Sequence, residues 1–213
     1  MSIKEQFEKT EKLYHFTSFD TALKIIESNC LRYGKLNNMN DIHENDKIVF
    51  VDGCNHPISK FPLGVLDALL EEIYKYRQIS LTADTKDGAK NGFDLHQMWG
   101  LYADKGEGVC LVFDKNELKK GFSKGIIYER VSYDETVESY YVSISNNPSE
   151  IAREVMEHAS RIFFHKRKEW EHEQEYRLLK RCPISMREEY LFLGCALKYV
   201  ILSSKLRNID EVL

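Results

Sequence analysis

Residues 165–181 read HKRKEWEHEQEYRLLKR, and the change of pattern inside that stretch sets the fold class. Its first ten residues are highly charged and carry no apolar period. Its last seven, EYRLLKR, have the length and residue types of a β-strand. Just upstream, Asn147-Pro148-Ser149-Glu150 is a helix start: a capping side chain, proline at the first position and a glutamate three residues after the cap. The apolar stripe Ile151, Val155, Ile162 and Phe163 predicts a helix to about Phe164. Downstream, residues 189–193 and 196–202 supply two more short apolar segments.

The same alternation of short strands and helices runs through the rest of the chain. KLYHF (12–16), CLRYG (30–34), DKIVFV (46–51), QISLT (78–82), VCLVF (109–113) and GIIYERVSY (125–133) read as strands. Ser18 caps a predicted helix with Asp20 in its first turn; Phe19, Ala22, Leu23, Ile25 and Ile26 share a face, and Asn29 stops it. Pro62 opens another, with Val65, Leu66, Leu69, Leu70 and Ile73 as its buried stripe. Asp94 with Gln97 reads as a capping box for a third helix, which aligns Leu95, Met98, Trp99 and Tyr102. KLNNMNDIHEN (35–45) reads as a loop in which Asn40 and Asp41 bond to nearby backbone. With no repeat, low-complexity tract or linker, the expected architecture is one α+β domain over residues 1–213, with mixed central sheets and flanking helices.

Composition narrows the function classes. The chain has 213 residues, 43% of them hydrophobic, so it can bury a core and is not a disordered segment. Its 30 Lys+Arg are balanced by 34 Asp+Glu, so any nucleic-acid contact needs a local basic patch. No apolar run approaches the ~18–20 residues of a membrane span, and MSIKEQFEKTEK lacks the apolar core of a secretory signal. The five cysteines, Cys30, Cys54, Cys110, Cys182 and Cys195, form no CxxC pair. Reduced thiols and a cytoplasmic location are expected, with no membrane partner and with Cys110 and Cys195 in the core.

Three groups of residues carry chemistry. Tyr14-His15-Phe16-Thr17-Ser18 runs from a strand end into a helix start, whose free N–H groups suit an anion; the plainer alternative is a capped helix beside a core histidine. Glu171, Glu173 and Glu175 alternate, so an extended chain would put them on one face. Crowded carboxylates would raise at least one pKa, and such groups serve acid–base work or stabilise a cationic transition state. The alternative is a solvated face opposing His165-Lys166-Arg167-Lys168, and for Glu171 that is the preferred reading. Arg177 falls on the face of Glu175, to pair with it or to bind phosphate. Met98-Trp99-Gly100-Leu101-Tyr102 offers aromatic faces to a planar ring, or simply packs in the core. Asp41, His43 and Glu44 match no specific metal motif, and no metal site is expected. Walker, GxGxxG, nucleophile-elbow and HExxH patterns are absent from the sequence.

Four patches, LYHFTSFDTALKIIESNCLRYG, NNMNDIHE, MWGLYADKGEGVCLVFD and KEWEHEQEYRLL, together resemble the mostly bacterial domain-of-unknown-function family 2971 across roughly residues 12–202. Ile42-His43 departs from the Pro-Phe pair common after the family's Asn-Asp. The chain also resembles the ADP-ribosyltransferases, which carry an early-strand histidine or arginine, a mid-chain hydroxyl-bearing strand and a late Q/E-x-E motif. His15, Ser80 with Thr82, and Glu173-Gln174-Glu175 follow that order. That resemblance implies a toxin or anti-phage effector that moves ADP-ribose from NAD, as substrate, to a protein or nucleic-acid acceptor, with an antitoxin or other regulatory partner. It implies that Glu175 stabilises the cationic ribose, His15 holds a ribose and Glu173 orients the acceptor. Tyr14, Trp99 or Tyr102 would stack on nicotinamide, and Thr17, Ser80, Thr82 and Arg177 would complete the NAD-binding set. The rival readings are a nucleotide- or protein-binding module without turnover, and a nuclease-like effector using His15, Glu175, Arg177 and the basic run 165–168.

Overall fold

The computed structural model describes residues 10–36, 50–51, 65–135, 140–141, 147–183, 185–186 and 188–206. The elements are, in chain order, β1 (Lys12–Thr17), α1 (Phe19–Ser28), β2 (Cys30–Arg32), β3 (Gly34–Lys35), β4 (Phe50–Val51), α2 (Val65–Ile73), β5 (Tyr76–Ala83), α3 (His96–Tyr102), β6 (Val109–Asp114) and α4 (Lys115–Lys120). Then come β7 (Ile127–Arg130), β8 (Ser132–Asp134), β9 (Tyr140–Tyr141), α5 (Pro148–Glu157), α6 (Ala159–Phe163), β10 (His165–Arg167), β11 (Glu175–Arg181), β12 (Tyr190–Phe192) and β13 (Leu197–Leu202). The fold is α+β. A seven-stranded antiparallel sheet runs β13-β6-β1-β5-β11-β7, with β3 also paired to β5. Three two-stranded sheets join β10 to β8, β12 to β2 and β4 to β9.

Local chemistry accounts for the helix ends. The Ser18 side chain accepts from the Thr21 N–H, and Asn29 closes α1 in the left-handed conformation, with its N–H on the Ile25 and Ile26 carbonyls. Asn147 accepts from the Ser149 N–H ahead of Pro148 at the start of α5. The expected helix to Phe164 is broken at His158 into α5 and α6. The expected capping box at Asp94 does not form. Asp94 closes a 3-10 turn and accepts from the Asn91 amide, and α3 starts at His96 with no side-chain cap. Cys110 is buried as expected, whereas Cys195 is exposed in a turn beside Gly194, whose φ is +57°. Asn40, Asp41, His43, Glu44, Cys54 and Pro62 lie outside the described residues, as does most of the 35–45 loop.

Strand alternation gives the sheet two unlike faces. On one, Leu13, Ile79, Leu81, Leu111, Tyr176 and Leu178 form a continuous apolar layer under α1 and α4. On the other there are two apolar clusters. Tyr14, Phe16, Cys110 and Val112 pack with Met98 of α3; Tyr76 and Leu179 pack with α2, α5 and α6. Between them β5 and β11 present Gln78, Ser80, Thr82, Glu175 and Arg177, since cross-strand partners Glu175↔Thr82 and Arg177↔Ser80 point the same way.

Candidate ligand cavity and its charge cluster

The sheet opens beside that polar strip. β1 pairs with β5 only at Leu13↔Ala83 and Tyr14↔Thr82. Further along the same edge of β5, β3 pairs at Gly34↔Gln78 and Lys35↔Arg77. No described strand pairs with residues 79–81 on that edge, and a cavity of about 370 Å³ occupies the gap. Ser80 is exposed there, in the middle of an otherwise buried strand. The half-buried His15 lies beside the Ser80 backbone across this gap. His15 is on the sheet face opposite Glu175 by register, since it neighbours Leu81 rather than Thr82, yet both line the cavity because the split connects the two faces.

Glu175 is 4% exposed and ion-paired. Arg177 grips it with Nε on Oε1 and Nη2 on Oε2, each at 2.8 Å, and Lys166 Nζ is 3.0 Å from Oε2. Ser80 lies on the same face, two residues along β5 from Thr82, the cross-strand partner of Glu175, and helps to lower its pKa. Glu173, equally buried, accepts from Lys166 Nζ at 2.7 Å and from the Tyr102 hydroxyl. Arg177 also donates to the Phe163 carbonyl. The Lys166 ammonium lies 5.4 Å from the centre of the Trp170 ring. Two carboxylates and two cations thus balance in a nearly dry cluster.

Two local features assemble it. Residues 168–173 form a 3-10 turn rather than an extended chain, and Gln174 adopts the left-handed conformation at φ +46°. The expected alternation of Glu171, Glu173 and Glu175 on one face is therefore overturned: Glu171 points to solvent while Glu173 and Glu175 are buried together. The Gln174 side chain and N–H both bond to the Glu171 carbonyl, which holds a conformation that costs a non-glycine residue about 1 kcal/mol. The short β8–β10 ladder sets Lys166 opposite Tyr133, whose hydroxyl accepts from the Glu175 N–H at 2.8 Å.

The electrostatics run against a raised carboxyl pKa at Glu175. Burial alone would push it up, but Arg177 and then Lys166 outweigh burial and hold it well below the usual carboxylate range. Glu175 is therefore ionised at neutral pH and is too weak a base to take a proton from Ser80. What it can do is accept hydrogen bonds and stabilise positive charge. Burial lowers His15 to about 4, opposed by the neighbouring Ser80 backbone, so the imidazole is neutral at neutral pH.

Of the residues singled out in the sequence, Tyr14, His15, Ser80, Thr82, Tyr102, Glu173 and Glu175 line the cavity. Tyr14 is fully buried; its hydroxyl donates to Asp84 at 2.7 Å and its ring leaves no room for a side chain at Gly92, where a Cβ would lie 2.3 Å from it. Trp99 is off the cavity wall, its indole donating to the Phe93 carbonyl and its ring edge-on to Phe16 at 5.3 Å. Thr17 and Arg177 are also off the wall, Arg177 lying behind Glu175. Lys166, which bridges both glutamates, is marked in the sequence only as one member of the basic run 165–168. Among the described residues no group of metal-ligating side chains converges. No described helix is long and apolar enough to cross a membrane.

No curated protein matches the chain, and no solved structure matches it. The family model described as "Protein of unknown function (DUF2971)" matches residues 98–178, a span holding Tyr102, Lys166, Glu173, Glu175 and Arg177, and the resemblance to that family stands over the whole charge cluster.

Proposed function

We propose that the split-sheet cavity binds NAD and that the chain is an ADP-ribosyltransferase-like protein acting on a macromolecular acceptor. The observation that carries this reading is that an ionised Glu175, the neutral His15 and the exposed Ser80 open onto one cavity. Breaking the nicotinamide–ribose bond builds positive charge on the ribose, and a preorganised carboxylate lowers that barrier. Tyr102 and Glu173 lie beside Glu175, where an acceptor hydroxyl or amide would be oriented.

One observation favours a second reading, a nucleotide-binding module without turnover. Three donors converge on Glu175: Arg177 Nε and Nη2, and Lys166. They fill three of the roughly four lone-pair sites of a carboxylate and already neutralise its charge, which leaves it little to offer a cationic ribose.

The test combines NAD⁺ binding by calorimetry with nicotinamide release in the presence of protein, DNA and RNA acceptors. Transferase action predicts release by the wild type and a loss of roughly 10²–10⁴ in rate for Glu175→Gln. Binding without release supports the module. Unchanged release in Glu175→Gln overturns the transferase reading. A lowered melting temperature does not separate the two, because both lose the same ion pair.

A further inference from the structure

We propose that Arg32 is the anion-binding residue of this cavity, taking a phosphate group of the ligand in exchange for Glu188. The inference rests on the cavity being a ligand site, and not on the ligand being NAD. Among the residues that line the cavity the cationic ones are Lys166 in its wall and Arg32, whose side chain is exposed at its rim. Lys166 is held between Glu173 and Glu175 at 2.7 and 3.0 Å, so its charge is already spoken for. Those carboxylates make the β11 side of the cavity a poor place for an anion.

Arg32 comes from the other bank. It ends β2, which leaves the main sheet to pair with β12, and its neighbour Leu31 is buried in the cavity wall. Its ion pair with Glu188 is single and long, Nη1 to Oε1 at 3.5 Å, with side chains 66% and 52% exposed. Such a long, hydrated pair contributes little to stability. Glu188 has a second partner, the hydroxyl of Tyr190, which lies across the β2–β12 ladder from Arg32. Releasing Arg32 therefore leaves Glu188 bonded and in water. A guanidinium can then engage a phosphate through two parallel N–H groups, a stronger arrangement than the one it leaves. Glu188 acts as a displaceable occupant of the anion site.

Two charge-removing variants give opposite signs, and both positions are exposed, so the fold should tolerate them. Pyrophosphate and ADP, titrated calorimetrically at low salt, are expected to bind the wild type. Arg32→Gln should weaken both about tenfold or more, as expected for a charge-assisted contact. Glu188→Gln should tighten both by about two- to fivefold, by removing a weak competitor. Nicotinamide riboside, which has no phosphate, should respond to neither change. Failure of pyrophosphate and ADP to bind, or equal affinity in all three proteins, overturns the proposal. If both probes show the pattern while NAD⁺ does not bind, the anion site stands and the NAD reading falls.

Discussion

Two glutamates in this protein are each held by two cations, yet the two sites differ in kind. Glu72, on the last turn of α2, accepts from Lys75 at 2.8 Å and from Arg181, whose Nη2 is at 3.0 Å. Its carboxylate is 4% exposed, but Lys75 is 25% and Arg181 is 47% exposed. That cluster pins a helix to the end of β11 while its cations stay hydrated. At Glu175 the cations are buried too, Lys166 at 8% and Arg177 at 1%. Where water can replace a lost partner, an ion pair is dispensable. Where it cannot, the pair is a structural requirement that must be met before the cavity above it can work.

The largest effect should come from removing the cation behind Glu175. Arg177→Met leaves a buried carboxylate without its bidentate partner and the Phe163 carbonyl without its donor. Denaturant melts should show a loss of about 3–5 kcal/mol. Arg181→Met, at the hydrated cluster, should lose about 1 kcal/mol or less. Equal losses at the two positions would break the comparison.

Next in size is a pH effect that tells His15 apart from Glu175. The folded pKa of His15 is lowered to about 4, while an unfolded histidine titrates near 6.5. Below pH ~6.5 the unfolded chain therefore binds a proton that the folded one refuses. His15 contributes stability that is present above pH ~6.5 and is lost as pH falls toward 4, by at most about 3 kcal/mol. His15→Gln should flatten the stability curve in that window. Glu175 is also depressed, so its contribution is intact above the unfolded glutamate value near 4.3 and erodes only below it. The stability difference between wild type and Glu175→Gln should thus hold from pH 7 to ~5 and shrink below ~4. A difference that shrank between pH 7 and 5 would mean that Glu175 is not held ionised.

Much of this fold was legible because it is written locally. Ser18, Asn29 and Asn147-Pro148 act within four residues of themselves, and the structure bears all three out. EYRLLKR is β11 from its first residue to its last. The two-residue spacing on one strand put Arg177 on the face of Glu175, and of the two roles that allowed, pairing or phosphate binding, the structure shows the pairing. What escaped the sequence depends on distant partners. The split between β1 and β5 exists because β3 takes over the edge of β5 at Gln78, a contact between residues over forty positions apart. Lys166 reaches the glutamates through a three-residue ladder with β8 that leaves no periodic mark. The left-handed turn at Gln174 is a non-glycine exception, and, with the 3-10 turn before it, it turns three alternating carboxylates into one exposed and two buried. Cys195 was misplaced for a similar reason, because the turn at Gly194 sends its neighbour Ala196 into the core instead.

The smallest expected effect sharpens the contrast most, because the chemical change is the same. Glu171→Gln and Glu175→Gln each replace one carboxylate by its amide, four residues apart. At Glu171 the carboxylate is 48% exposed, and its ion pair with Lys168 is 3.7 Å long between two hydrated side chains. Its structural work is done by its backbone carbonyl, which accepts from the N–H and the side-chain amide of Gln174. That carbonyl survives the substitution, so the left-handed turn and the burial of Glu173 should survive with it. Glu171→Gln should change stability by no more than about 0.5 kcal/mol and leave NAD⁺ and pyrophosphate binding unaltered. At Glu175 the same replacement strips Arg177 and Lys166 of a buried counter-charge that water cannot supply. A loss above ~1 kcal/mol in Glu171→Gln would show that its side chain helps to hold the turn. The division between exposed and buried glutamates would then lie in the turn itself, and not in the desolvated cluster beneath the cavity.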